Sequence, residues 1–189
     1  MTRPITAELF ASLDLVVDEP QDWHFPWVGE RMLAEIAREQ QASALLLGRR
    51  TYDVFAASWP QRGDEVPLAE QLNGMPKIVV SDRMRPDEAS WSRTRILRPG
   101  GNLAAAIRSL DGAGRITVAG SISLVEQLLA VGLLDELRLI VHPLVRGRGR
   151  RLFSNWDGPE LRLCHVESAP LDRGARLDVY RKGAGEFDG

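Results

Sequence analysis

One segment of this chain combines the residue types that bind phosphate at the point where a predicted strand ends. Gly48 closes an apolar run, and Arg49, Arg50 and Thr51 follow at the start of a predicted helix. Glycine lets a ligand approach the backbone, and a helix N-terminus offers free N–H groups and partial positive charge. Arginine adds a bidentate donor. The segment predicts a phosphate site; the alternative is an ordinary turn with solvated arginines and Thr51 as the helix cap.

A second strand-to-helix junction begins at Gly120. Gly120 and Ser121 form a predicted tight loop whose N–H groups can face an anion. Ser123 and Glu126 have the spacing of a capping box, which places the start of the helix near Leu124. Either the loop binds an anion or the segment is a plain capped helix. The residues match neither the G-x-G-x-x-G dinucleotide fingerprint nor the GK[ST] phosphate loop.

A third predicted strand ends at Ser81 and Arg83. These residues either form a polar turn or supply a further basic contact to the same ligand. A dinucleotide needs a site for its pyrophosphate and, when it carries a 2′-phosphate, a second basic contact. Because ligands of open α/β sheets bind beyond the carboxyl ends of the strands, the three junctions together predict a dinucleotide site at that edge.

Aromatic residues and one carboxylate indicate where a substrate would lie. Trp23 and Phe25 precede an amphipathic helix, and with Trp59 they either wall a pocket for a flat ring or cover the edge of the sheet. His24 is a weak acid–base candidate. Asp14 interrupts an apolar run that is predicted as a strand over 9–17. In an apolar cleft its pKa would be raised and it could deliver a proton; otherwise it is hydrogen-bonded at a strand bend.

The size and composition of the chain exclude several classes of protein. Its 189 residues fit one domain, with an ordered core at about 8–182. Cys164 is the single cysteine, so an internal disulfide and a multi-cysteine zinc site are excluded, and we expect no metal. The net charge of −2 gives no global attraction to nucleic acid, and the arginines of 145–151 are interpreted as solvated turn residues. No apolar segment resembles a signal peptide or a membrane span, so we expect a cytoplasmic protein without membrane contact.

Predicted strands and helices alternate along most of the chain, and two alternating runs at the end form a predicted antiparallel hairpin. This order predicts a three-layer α/β domain with a mixed, mostly parallel sheet flanked by helices. The predicted strands are 9–17, 44–47, 77–80, 94–97, 115–119, 137–141, 161–167 and 175–181, and the predicted helices are 28–37, 51–57, 103–110 and 124–131, with a loop at 58–67.

Short motifs spread along nearly the whole chain occur together in a specific order. They are Ser12-Leu-Asp14, Trp23-His-Phe-Pro26, Leu45-Leu-Leu-Gly-Arg-Arg-Thr-Tyr52, Ser58-Trp-Pro60, Met75-Pro-Lys77, Val79-Val-Ser81, Gly120-Ser121, Gly132-Leu-Leu-Asp-Glu-Leu-Arg-Leu139, His142-Pro143 and Gly149-Arg-Arg-Leu-Phe153. In this ordered set the chain resembles the dihydrofolate-reductase-like proteins related to the reductase domain of the bifunctional riboflavin-biosynthesis deaminase–reductase. The zinc deaminase domain has no counterpart, because no H-x-E with P-C-x-x-C is present.

The resemblance implies an NADPH-dependent reductase, a homodimer, that transfers hydride to a small heterocyclic or carbonyl substrate. It places cofactor phosphates at Gly48, Arg49, Arg50 and Thr51. It also places the adenosine side at Ser81 and Arg83, the pyrophosphate at Gly120, Ser121, Ile122, Ser123 and Leu124, and the nicotinamide border at Leu13 and Leu15. From the residues themselves, Asp14 is the candidate catalytic group, and Trp23, Phe25 and Trp59 are the candidate substrate walls.

Three residues depart from the family pattern. Leu15 stands where the family usually has glycine, Ile122 replaces a small residue, and Asp82 replaces a frequent basic residue. Leucine at 15 would crowd the nicotinamide if the backbone has to approach it there. An alternative function is therefore a non-catalytic nucleotide-binding or regulatory dimer on the same scaffold, since a fold does not determine a function.

Overall fold

A computed structural model describes residues 3–63, 66 and 68–183. Asp64, Glu65 and Pro67 of the loop predicted at 58–67 lie outside the described residues. Within the described part of the chain, no helix is long and apolar enough to cross a bilayer.

The described residues form one eight-stranded sheet with helices on both faces. The strand order is β4-β3-β2-β5-β1-β6-β8-β7; β1 to β6 pair in parallel, and the β7–β8 hairpin joins β6 antiparallel. The strands are β1 (Ile5–Ser12), β2 (Ala44–Gly48), β3 (Lys77–Val80), β4 (Thr94–Leu97), β5 (Ile116–Val118), β6 (Glu136–His142), β7 (Leu163–Pro170) and β8 (Arg176–Lys182). The α-helices are α1 (Glu30–Glu39), α2 (Arg49–Ser58), α3 (Ala69–Gly74), α4 (Leu103–Arg108) and α5 (Ile122–Ala130), with 3₁₀ turns at Pro20–Asp22, Phe25–Trp27, Pro86–Glu88 and Asp172–Gly174.

The predicted mixed, mostly parallel sheet with a closing antiparallel hairpin is confirmed, and the bounds of β3 and β4 are as predicted. The first strand is wrong: it runs from Ile5 to Ser12, so Asp14 lies beyond its end. Helix α3 has six residues, too few for an apolar period, and was missed. These differences arise because local pattern locates an element better than it locates its ends.

Two predicted helix caps are also wrong. Helix α2 begins at Arg49 with Gly48 as its N-cap, so Thr51 lies inside the first turn. Helix α5 begins at Ile122 after Ser121. Glu126 therefore does not close a capping box; its carboxylate instead accepts a hydrogen bond from the N–H of Phe153 at 2.9 Å. The start of α5 therefore lies directly after the glycine loop, Gly120 and Ser121.

The core lies on both faces of the sheet. On one face of the sheet, β1, β5 and β6 pack against α4 and α5. On the other face, α2 and α3 pack on β2 and β3, and α1 packs on β6 and β8. This explains why β2 is an unbroken apolar run, since strands buried on both faces show no alternation. Leu137, Leu139 and Val141 of β6 are all buried in the core on one face of the sheet.

The start of α1 depends on a residue from the far end of the chain. The N-cap position is Gly29, which has no side chain to cap the helix. Asp172, from the turn between β7 and β8, fills this role: its carboxylate accepts a hydrogen bond from the N–H of Met32 at 3.0 Å. A Cβ on Gly29 would lie 2.4 Å from Asp172 Cγ, so glycine is needed for this approach.

We expect Asp172→Ala to lower the free energy of unfolding by about 1 kcal/mol, the usual cost of removing a helix cap. Asp172→Asn keeps an oxygen acceptor and should cost less. Urea unfolding of both variants measures the difference. The matched control is Asp87→Ala, which removes a carboxylate that is 70% exposed. Equal stability of Asp172→Ala and the control would show that Asp172 does not cap α1.

Candidate functional site

A cavity of about 560 Å³ lies over the sheet between α1 and α2. Its size is that of pockets that hold small molecules and cofactors. Strands β1, β2 and β5 contribute to its wall, together with both helices and the loop after α2. Residues that line it include Glu8, Phe10, Glu19, His24, Phe25, Glu39, Gln40, Arg50, Thr51, Trp59, Arg62, Thr117, Gly120, Ser121 and Ile122.

The two glycine junctions meet at one corner of this cavity. The N–H of Gly48 donates to the carbonyl of Gly120 at 3.2 Å. A Cβ on Gly48 would lie 2.3 Å from Ser121 Oγ, and Gly120 has a φ of 119°, which side chains rarely adopt. The N-termini of α2 and α5 therefore converge, and each has first-turn N–H groups outside the intrahelical hydrogen bonds. This is the geometry of an anion site.

The arginine pair after β2 divides into two roles. The guanidinium of Arg49 is held by Asp53, at 2.8 Å, and by Glu88, at 2.9 Å, and Arg49 does not line the cavity. Arg50 does line it, its side chain is 66% exposed, and its ion pair with Glu19 spans 3.8 Å. Arg50 is therefore the arginine of the pair that can turn to an anion in the cavity.

Residues at the end of β3 lie at the same edge of the sheet. Val80 is in register with Gly48, so Ser81 follows beside the start of α2. Ser81 Oγ accepts hydrogen bonds from the N–H groups of Arg83 and Met84, at 3.3 and 3.1 Å, and the side chain of Arg83 is exposed. Neither Ser81 nor Arg83 lines the cavity.

Two members of the second junction are arranged differently from what we expected. Leu124 is buried in the core under α5, so its side chain cannot face a ligand. Its N–H is also used, since it donates to the carbonyl of Ser121 at 3.1 Å. Ser123 is exposed, with its hydroxyl 3.1 Å from that of Ser121. Gly120, Ser121 and Ile122 line the cavity, whereas Ser123 and Leu124 do not.

Asp14 is not a proton donor in an apolar strand. It lies in the turn after β1, where its carboxylate accepts hydrogen bonds from Ser12 Oγ at 2.7 Å and from the N–H groups of Arg146 and Gly147, both at 2.9 Å. Arg151 adds an ion pair at 3.0 Å. These donors hold the pKa of Asp14 well below its usual range, the opposite of the expected rise. Asp14 therefore ties this turn to the arginine-rich loop as a carboxylate.

Leu13 and Leu15 flank Asp14 with exposed side chains. Leu13 is 53% and Leu15 38% exposed, and neither lines the cavity. Leu15 has a φ of 61°, a conformation that usually favours glycine, and its backbone carbonyl accepts a hydrogen bond from Leu152 at 2.9 Å. Leucine at this position therefore does not fill the cavity.

Of the three aromatic residues expected to contact a substrate, two line the cavity and one does not. Phe25 and Trp59 line the cavity, with the guanidinium of Arg62 4.5 Å from the centre of the Trp59 ring. Trp23 does not line it: it is 4% exposed and its indole N–H donates to the carbonyl of Asp18. The expected substrate wall therefore loses Trp23, which supports the core instead.

Polar residues that the sequence analysis did not select line the deep part of the cavity. Glu8 of β1 and Glu39 at the end of α1 face each other there, beside Thr117. Burial and the charge of Glu39 raise the pKa of Glu8 to about 7, and Arg138 partly offsets this. A signal was present, since Glu8 is a charged residue between apolar neighbours, but the first strand was predicted to start after it.

His24 completes one wall of the cavity. Its ring stacks on Phe10 with centroids 4.3 Å apart, and burial lowers its pKa to about 4. The imidazole is therefore neutral near pH 7. In the part of the chain that the structure describes, no group of three or more histidine, cysteine or acidic side chains is placed to hold a metal.

We expect Asp14→Asn to lower the melting temperature at neutral pH, because the amide keeps the shape but loses the charge that three donors and Arg151 stabilise. A group whose pKa is depressed by folding adds stability above the ordinary carboxyl range, and this is lost as the pH falls. The difference in melting temperature between wild type and variant should therefore disappear at acidic pH. The control is Asp157→Asn, at an exposed carboxylate; a gap independent of pH would contradict the role.

Comparison with known proteins shows which family and which solved structures this chain is similar to. The RibD C-terminal domain family matches residues 3–175. The uncharacterized protein YyaP of Bacillus subtilis is 28% identical over 118 residues, 60% of this chain and 60% of that protein. A solved protein of Shewanella sp. PV-4 named for riboflavin biosynthesis is 16% identical, with a TM-score of 0.70 over 96% of this chain and 99% of its own. Dihydrofolate reductase of Enterococcus faecalis, complexed with NADP(H), is 15% identical, with a TM-score of 0.58 over 96% and 97%. The fold is that of dihydrofolate reductase, and the chain belongs to the RibD C-terminal domain family.

Proposed function

We propose that this protein is an NADPH-dependent reductase that transfers hydride to a small heterocyclic or carbonyl substrate. The observation that carries the proposal is the convergence of the α2 and α5 N-termini at Gly48 and Gly120, beside a cavity of about 560 Å³. Membership of a reductase-domain family supports it, as does the likeness in fold to a reductase complexed with NADP(H).

The residues at this corner fit a dinucleotide. The space that a Cβ on Gly48 would need is taken by the Ser121 side chain, so the two loops lie in contact where a pyrophosphate would lie. Gly120, Ser121 and Ile122 would hold the pyrophosphate with the first turn of α2, and Arg50 and Thr51 would add side-chain donors. Ser81 and Arg83 would meet the adenosine end, and the backbone at Leu13 and Leu15 would border the nicotinamide.

When bound, NADPH supplies the hydride, so the protein needs few catalytic side chains. The chain's own task is to bind a flat substrate and exclude water from it. Phe25 and Trp59 offer aromatic faces for stacking, and the helix α1 wall closes the far side of the cavity. A fixed orientation of two reactants can account for much of a rate enhancement.

A specific observation favours the non-catalytic alternative. Asp14, the acid selected from the sequence, is held as a carboxylate by its hydrogen bonds and cannot deliver a proton near neutral pH. A nucleotide-binding protein on this scaffold would need no proton donor. NADPH oxidation measured against a panel of heterocycles and quinones separates the two functions, because a binder alone would protect the protein thermally without turnover.

We expect Arg50→Ala to weaken NADPH binding by roughly tenfold, about the loss of one charge-assisted contact. Arg49→Ala is the matched control: it removes the same charge one residue away, but from a guanidinium already occupied by Asp53 and Glu88. It should change stability more than affinity. Thermal-shift titration with NADPH and NADH measures both, since a ligand at about 100 times its Kd stabilises by about 2.7 kcal/mol.

Three outcomes would count against this assignment. Equal weakening of NADPH and NADH by Arg50→Ala would argue that Arg50 does not meet the 2′-phosphate. If Arg49→Ala lost affinity for NADPH and Arg50→Ala did not, Arg49 and not Arg50 would be the arginine that binds the cofactor. Absence of any shift with either cofactor in the wild-type protein would reject the dinucleotide site.

We also propose a cytoplasmic homodimer, which rests on the family resemblance. Within the described residues, the outer strand β7 is the edge of the sheet and is largely exposed on both faces, with Val166 46% exposed. An exposed strand edge can pair with another chain. Light scattering at tens of micromolar, an order-of-magnitude choice for a stable contact, should give twice the monomer mass; a monomer would overturn the proposal.

A further inference from the structure

The deep end of the cavity is acidic. We call the side chains of Glu8, Glu39 and Gln40, which all line it, the acidic floor. The two carboxylates come from neighbouring elements, β1 and the last turn of α1, and are 10% and 7% exposed. Charged groups this deeply buried need partners, so the distribution of cations around them is informative.

Arg138 of β6 is the cation shared by this region. Its guanidinium is 2.9–3.2 Å from carboxylate oxygens of Glu8, Glu35 and Glu136, and 3.7 Å from Glu39. The other three acids each have a second arginine: Arg115 for Glu39, Arg38 for Glu35 and Arg181 for Glu136. Among the described residues, Glu8 has no cation other than the shared one.

One oxygen of Glu8 is open to a ligand. Arg138 Nε donates to Glu8 Oε2 at 3.2 Å, and no group of the described residues donates to Glu8 Oε1. Glu39 has more partners, because Thr117 donates to its Oε1 at 2.7 Å, Thr6 donates to the same oxygen, and Arg115 forms an ion pair with it. Glu39 Oε2 has only Arg138 nearby, at 3.7 Å. Among the described residues Glu8 therefore has a single donor and Glu39 has two, so Glu8 has the larger unused capacity to accept a hydrogen bond.

Two further buried polar atoms at the cavity have no partner in the structure. They are Gln40 Oε1 and His24 Nδ1, and His24 is 91% buried. A neutral imidazole carries its proton on one nitrogen and accepts at the other. Leaving buried acceptors unsatisfied is costly, so Gln40 Oε1, and His24 Nδ1 in the tautomer that accepts, indicate a ligand in this cavity that donates.

We propose that the acidic floor binds a cationic or N–H-donating nitrogen group at the inner end of a planar substrate, with Glu8 as its principal acceptor. This names the substrate class of the proposed reductase and rests on that function only in calling the ligand a substrate. A carboxylate or an oxygen-only group at the same end would meet Glu8 and Glu39 unfavourably. The alternative is a structural network in which Glu8 serves Arg138 alone.

Three probes of one shape distinguish these roles. Benzamidine, benzamide and benzoate present the same ring with a cationic, a neutral and an anionic group. By calorimetric titration at pH 8, we expect the wild-type protein to bind benzamidine at least ~10-fold more tightly than the other two. Glu8→Gln should weaken benzamidine by about tenfold and leave benzamide unchanged. The control is Glu160→Gln, which removes a unit of charge from an exposed side chain outside the cavity.

The pH dependence gives a second measurement that needs no variant. The charged groups that act on Glu8 are Glu35 and Glu39 from α1 and Arg138 from β6, and Arg138 also binds Glu136. A carboxyl that titrates near pH 7 is mostly protonated at pH 6 and mostly ionised at pH 8. Benzamidine stays cationic in this range, so its affinity should rise from pH 6 to pH 8. If Glu8→Gln does not fold, as judged by circular dichroism, a flat pH profile for benzamidine in the wild type rejects the proposal.

The remaining outcomes separate this proposal from the reductase assignment. A folded Glu8→Gln that binds benzamidine as the wild type does, or a wild type that does not prefer benzamidine, overturns the acidic floor. NADPH titration of the same variant should be unchanged, because the polar partner of the Glu8 side chain is Arg138 and not a residue of either glycine loop. If the wild-type protein prefers benzamidine but does not bind NADPH, the reductase assignment is rejected and the proposal for the acidic floor stands. If it binds NADPH but does not prefer benzamidine, only the proposal for the acidic floor is rejected.

Discussion

The contact between the two glycine loops is the constraint on which the site depends. Strands β2 and β5 are hydrogen-bonded neighbours, so Gly48 and Gly120 emerge at the same edge of the sheet. Gly48 has no room for a side chain, because the side chain of Ser121 occupies the space that its Cβ would take. This closeness brings two helix N-termini together, which is the arrangement that favours a diphosphate.

The opposite wall of the cavity depends on charges that link α1 to the sheet. Asp172 caps the first turn of α1 from the β7–β8 turn, and Glu35 and Glu39 bind Arg138 and Arg115 beneath the same helix. The helix is therefore held at its start by a hydrogen bond and along its length by ion pairs. Buried ion pairs can specify position even where their net contribution to stability is small, and here they fix α1 on the sheet at one side of the cavity.

Side chains of the same type next to each other in sequence have different roles for electrostatic reasons. Arg49 has two carboxylate partners and stabilises the packing of α2 on the segment after β3, whereas Arg50 faces the cavity with one distant partner. Asp14 and Glu8 show the same contrast among acids. Asp14 is surrounded by donors and its pKa falls, while Glu8 is buried beside another carboxylate and its pKa rises to about 7.

The sequence by itself determined the order of elements, the mixed sheet with its hairpin, and the position of the two glycine junctions. These features follow from local information: apolar runs, their period, and glycine between strand and helix. What only the tertiary structure decided is which polar side chains face the cavity. Asp14 meets Arg146, Gly147 and Arg151 from more than 130 residues away, Arg49 meets Glu88 across 39 residues, and Glu8 meets Arg138 across 130. The charge and hydrogen bonding of these groups depend on partners that distant strands and loops bring together, and no local pattern carries that information.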